Sequence, residues 1–137
     1  MKKFRIVVAI IVMVFLQTGC ATISNTSRED MPKDLRGKFI GTWKGEHVDH
    51  EKNLLRSWIQ HRSEDGTYTI IFVELSRNGI IKSKEEKGKW WIEGDTFYEV
   101  SLEGMEKPDA YQFEILSERE IRFKSVAKNY EFIDKRM

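Results

Sequence analysis

The densest group of metal-ligand side chains in this sequence is Glu46, His47, Asp49, His50 and Glu51, packed between two predicted strands. Imidazole nitrogens beside carboxylates suit zinc or another divalent ion. The spacing matches no ligand motif, however, and a charged hairpin loop is ordinarily solvated, so neither a metal nor a cofactor is expected. His61, with Arg56 and Arg62 nearby, reads as a surface residue near the end of a strand. Adjacent Glu85 and Glu86 fall on opposite faces of a strand and make a poor acid/base pair. No motif marks a serine or threonine as a nucleophile activated by histidine. No catalytic residue is assigned, and the chain is not read as an enzyme.

One further residue carries chemistry through its uniqueness. Cys20 is the single cysteine, so an intramolecular disulfide, a CxxC redox pair and a cysteine-rich zinc site are all excluded. A lone cysteine in a secreted chain needs a reason. It follows a basic start, Met1-Lys2-Lys3-Phe4-Arg5, and an apolar run from Ile6 to Leu16, the order of a secretory signal peptide. That run is short of the roughly 20 apolar residues that span a bilayer.

The segment Leu16-Gln17-Thr18-Gly19-Cys20 resembles the lipobox of bacterial lipoproteins. The resemblance implies that residues 1–19 are removed and that Cys20 becomes an acylated N-terminus, palmitate-type chains holding the protein on a membrane. Ala21 stands where an aspartate would often retain such a protein in the inner membrane, which implies the outer membrane, periplasmic face. Removing residues 1–19, which contain Lys2, Lys3 and Arg5 but no acid, turns 23 basic residues into 20 against 22 acids, a formal net charge of −2. No basic stripe interleaved with exposed aromatics remains, and nucleic-acid binding is excluded.

These assignments need elements to position them. Residues 20–36 are polar and unperiodic as far as Pro32 and read as a flexible tether behind the lipid, with one possible helical turn before the first strand. Residues 37–137 form one domain, large enough to fold alone and rich in core-forming rings, among them Trp43, Trp58, Trp90 and Trp91. Short runs of β-branched and aromatic residues follow one another from Phe39 to Lys135, separated by Glu64-Asp65-Gly66, Arg77-Asn78-Gly79 and Glu93-Gly94-Asp95. Such turns make hairpins. Tyr111, Phe113 and Ile115 alternate with Gln112 and Glu114, which buries one face and wets the other. The fold class is therefore all-β: a small antiparallel meander barrel of eight strands, or nine if Gly88 breaks a run, with a two-sheet sandwich as the alternative. The mixed-charge run Lys82-Ser83-Lys84-Glu85-Glu86-Lys87 reads as an exposed, solubilising edge.

Gly41-Thr42-Trp43, at the head of the first strand, resembles the G-x-W signature of lipocalins and of smaller bacterial lipocalin-like domains. That resemblance implies that Trp43 plugs the closed end of a barrel and that Arg136, or Lys135, lies over its ring. It also implies a ligand site at the open end, for which Trp58, Tyr68, Phe72 and Tyr98 are the candidates, although aromatics in so short a chain ordinarily serve as core. The chain has no room for the helix that packs beside the barrel in classical members, which argues against a large cavity. A second copy of the motif, Gly88-Lys89-Trp90, raises the question of an internal duplication, but the two halves do not align. Two functional expectations follow. One is a monomeric, membrane-anchored module binding a small apolar or amphipathic ligand. The other is a protein-interaction module that docks to another envelope protein or inhibits a cell-wall enzyme.

Overall fold

A computed structural model describes residues 33–137. Residues 1–32, on which the expected signal peptide, the lipidation site Cys20 and most of the expected tether fall, lie outside the described residues. The chain opens with a short helix, α1 (Lys33–Gly37), and continues as eight strands: β1 (Gly41–Asp49), β2 (Leu54–Arg62), β3 (Thr67–Ser76), β4 (Ile81–Glu93), β5 (Thr96–Ser101), β6 (Asp109–Ser117), β7 (Glu120–Ser125) and β8 (Glu131–Arg136). All neighbours are antiparallel, and the sheet closes on itself in sequence order as an up-and-down barrel. One continuous closed sheet replaces the sandwich alternative.

The hairpins fall where the turn chemistry places them. Gly66 and Gly79 hold φ of 84° and 81°, values that a side chain would disfavour, and each lets its strand reverse directly. Gly88 has a different use. It does not break β4, which runs 13 residues without interruption. A Cβ at Gly88 would overlap both the Tyr68 ring and the Val100 carbonyl oxygen, so the missing side chain is the space in which the Tyr68 ring crosses the strand. The count is eight strands for that reason.

The barrel is plugged at the end where β1 starts and β8 finishes. Phe39, Trp43, Trp90, Phe97 and Phe123 are fully or almost fully buried there. Phe39 stacks on Phe97 at 5.7 Å between centroids and meets the edge of Phe113 at 4.9 Å. The Trp43 indole N–H donates to the Phe39 carbonyl at 2.9 Å. Arg136 lies 4.4 Å above the Trp43 ring and donates to the carbonyls of Ile40 and Lys38 at 2.8 and 2.7 Å. Lys135, the alternative cation, points outward toward Glu120. Trp90, from the second G-x-W, is also part of the plug: its N–H reaches the Thr67 carbonyl and Arg36 of α1 covers its ring at 5.4 Å. Leu35 and Arg36, grouped with the tether by composition, thus pack on the barrel.

The two ends differ in how firmly the sheet is sewn. β1 and β8 are in register at only two pairs, Trp43 with Arg136 and Lys44 with Lys135, both beside the plug. β4 pairs with β5 only from Gly88 onward, so residues 81–86 have β3 as their sheet neighbour among the described strands. The far end is therefore open, and its rim is the mouth of the barrel.

Candidate functional site

Alternation along β2 puts Leu54, Arg56, Trp58, Gln60 and Arg62 on the inner face. The last two, with Asp134 of β8 and Glu99 of β5, build a polar layer on top of the aromatic plug. Arg62 and Asp134 form an ion pair at 2.5 Å, with side-chain exposures of 2% and 0%. The second oxygen of Asp134 accepts the Trp58 indole N–H at 2.9 Å. The same Arg62 nitrogen donates to the Gln60 amide oxygen at 2.6 Å, and the Gln60 amide nitrogen donates to Glu99 at 3.0 Å. The chain of bonds thus crosses the lumen from β8 through β2 to β5. The Arg62 guanidinium also lies 4.9 Å from the Phe97 centroid and 5.3 Å from that of Phe123. Its Nε and Nη1, which have no hydrogen-bond partner, are buried among these rings, where a cation gains from the ring quadrupoles.

Above this floor is a cavity of about 680 Å³. Trp58, Tyr68, Ile70, Phe72, Tyr111 and Phe132 wall it, and Met105 from the β5–β6 loop closes one side. A volume of this size falls in the range that holds a small organic molecule, and apolar walls with a few polar groups are the usual composition of such sites. The mouth is charged in pairs: Asp49 with Lys52, Arg56 with Glu74 and Lys84 with Glu86. His47 packs beside Tyr130 there at 5.0 Å.

Burial sets the protonation of the groups inside. Desolvation pushes the Tyr111 hydroxyl well above its ordinary value, helped by the negative charge of Glu99, and it raises Tyr68 in the same way. Both are neutral hydrogen-bonding groups across the physiological range: Tyr111 bonds to Tyr130 at 3.2 Å and Tyr68 donates to Glu86 at 3.2 Å. Glu99 is pushed up to about 7, because loss of water costs its charged form more than Arg62 and the Gln60 hydrogen bond return. Among the described acids it alone is raised to near neutrality.

Comparison with known proteins adds little to this geometry. No protein-family model matches the chain, and no curated protein matches it. Among solved structures, a de novo designed fluorescence-activating β barrel is similar at 18% identity, covering 76% of this chain and 98% of the other, with a TM-score of 0.48.

The sequence-derived candidates divide by strand parity. Trp58, Tyr68 and Phe72 lie at inward positions and line the cavity. Tyr98 does not: it neighbours Phe97 and Glu99, which face in, so it faces out, where it stacks on Trp91 at 5.3 Å. Its selection as a lining residue is corrected by that period of two. His47 is not in a loop but on β1, with Glu46 on the opposite face, so the five potential ligands of residues 46–51 do not converge. Glu86 lines the mouth while Glu85 is exposed outside. Sequence reasoning missed Gln60, Arg62, Glu99 and Asp134. The signal was present, since Gln60 and Arg62 continue the inward series from Trp58 and Asp134 stands two residues before Arg136, but polar residues do not add to the hydrophobic period that marks an inner face.

Proposed function

We propose that this protein is a lipid-anchored envelope lipoprotein whose barrel binds a small apolar or amphipathic molecule. The observation that supports this reading is the cavity itself. The plug fills one end of the barrel with rings, and the chain then leaves about 680 Å³ open above it instead of packing the remainder. A barrel that needed only stability would close over these walls, since apolar surface left facing water forgoes roughly 25 cal/mol per Å² of burial. The resemblance of residues 16–20 to a lipobox supplies the anchor, and the polar tether would hold the mouth away from the headgroups.

Two measurements test the two halves separately. Binding of a neutral solvatochromic dye should be saturable and should weaken when Phe72→Arg places a charge on the cavity wall, whereas the outward Tyr98→Arg should leave it unchanged. Equal loss in both variants, or no saturable binding, overturns the cavity as the site. Cys20→Ser should abolish metabolic labelling by a fatty acid and leave an unprocessed precursor; undiminished labelling overturns the anchor.

A further inference from the structure

The cavity floor holds a carboxyl, that of Glu99, to which the protein gives no direct counter-ion among the described residues. Among the described residues, Gln60 gives Glu99 its hydrogen bond, and no lysine or arginine forms an ion pair with it. Arg62, on the strand across the lumen, is committed to Asp134 and Gln60 and pressed between rings. Directly opposite Glu99 in the β5–β6 ladder is Asp109, on the same inner face. Its counter-charge is Lys128, exposed and 4.0 Å away. Like charges facing each other across a ladder destabilise the sheet. The acids of the mouth are handled differently, each with a basic partner of its own: Asp49, Glu74 and Glu86.

The surroundings suit a cation. Tyr111 and Tyr68 keep their protons, so they present neutral rings and hydroxyls, and Trp58 and Phe132 add two more rings to the wall. Ring faces attract ammonium groups, more strongly where water is excluded. An anionic head placed at the same depth would meet two carboxylates, while Nε and Nη1 of Arg62 are buried against the plug rings.

We propose that the ligand is an amine: a protonated amino group on a small apolar body, its N–H groups bonded to Glu99 with Asp109 beside it, and its hydrocarbon against Trp58, Ile70, Phe72 and Phe132. This rests on the cavity being a binding site. It adds that the site selects positive charge. Glu99 would give up its own proton as the ammonium arrives, so affinity rises with pH until Glu99 is fully ionised. The charged and titratable groups facing it are Arg62 of β2, Asp134 of β8, Asp109 and Tyr111 of β6, Tyr68 of β3, and Tyr130 from the β7–β8 connection.

Calorimetric titration of the purified full-length protein with octylammonium, octanol and octanoate tests the inference with one chain and three head groups. Octylammonium should bind one to one, about ten-fold or more tighter than octanol, since a charge-assisted hydrogen bond is roughly twice as strong as a neutral one. Octanoate should bind weakest. Glu99→Gln should remove the preference for the amine over octanol. The wild-type ranking needs no variant, so it decides even if that substitution impairs folding. If octanol or octanoate binds as well as the amine, the charge selection is wrong while the cavity reading stands. If none of the three binds, both fall. Amine binding that persists unchanged in folded Glu99→Gln places the ammonium elsewhere and overturns the assignment.

Discussion

At the scale of single residues, the barrel interior turns on ionisable groups withdrawn from bulk water. Asp134 satisfies two buried donors at once, the Trp58 indole and the Arg62 guanidinium. Asp134→Ala would leave Arg62 as an unpaired buried cation, and breaking such a pair from one side costs about 3–5 kcal/mol. Replacing both partners removes the stranded charge, so Arg62→Met with Asp134→Ala should be less destabilised than Asp134→Ala alone. Denaturant melts of the three proteins check the order. Glu99 makes a second, pH-dependent case. The unfolded chain releases this proton near the ordinary value of 4.5 and the folded barrel near 7. Between those values the folded state binds more protons, so stability falls as pH rises from 4.5 to 7, by about 1–3 kcal/mol, and is level above. Glu99→Gln should flatten that segment of the wild-type profile. A parallel pair of profiles would show that the carboxyl is not held neutral.

At the scale of the element, what was legible in the sequence depended on how cleanly each strand alternates. Asp109–Ser117 and Glu120–Ser125 wear polar residues outside and rings inside, and their ends were readable to within a residue or two. β2 and β3 are less clear, because Ile59, Ile71, Val73 and Leu75 are outward and exposed while Gln60 and Arg62 are inward and buried. Hydrophobicity alone inverts the faces of β2 near its end; the parity of Trp58 restores them. Gly88 was ambiguous for a related reason, since a glycine in a strand marks either a break or a close approach, and only the Tyr68 ring distinguishes the two. Gly88→Ala should therefore cost about 1–3 kcal/mol or more by forcing β4 from the Val100 carbonyl, an overpacking penalty. Gly79→Ala meets nothing within 4 Å and pays only for its φ of 81°, about 1 kcal/mol. Thermal melts that ranked Gly79→Ala as the more damaging change would contradict the close-approach reading.

At the scale of the whole molecule, the barrel is a cup with a rigid base, and the base is where the first and last strands are joined. Only two register pairs join β1 to β8, so the seam relies on what surrounds them. Arg136 supplies most of that support: it covers Trp43, binds the carbonyls of Lys38 and Ile40, and reaches the Glu118 carbonyl at 3.2 Å. A lysine could keep the charge over the ring but not the fork that holds three carbonyls together. Arg136→Ala should lose about 2–4 kcal/mol, the sum of a cation–ring contact and charge-assisted hydrogen bonds, and Arg136→Lys should recover less than half of it. The loss has a location as well as a size. Native-state hydrogen exchange should show faster amides along the plug-end portions of β1 and β8, with Trp43 and Lys44 among them, while the β2–β3 and β6–β7 ladders stay as protected as the remaining global stability allows. If the variant instead exchanges faster at the mouth and keeps a protected β1–β8 seam, closure is held by the aromatic plug alone and Arg136 is a surface ornament on it.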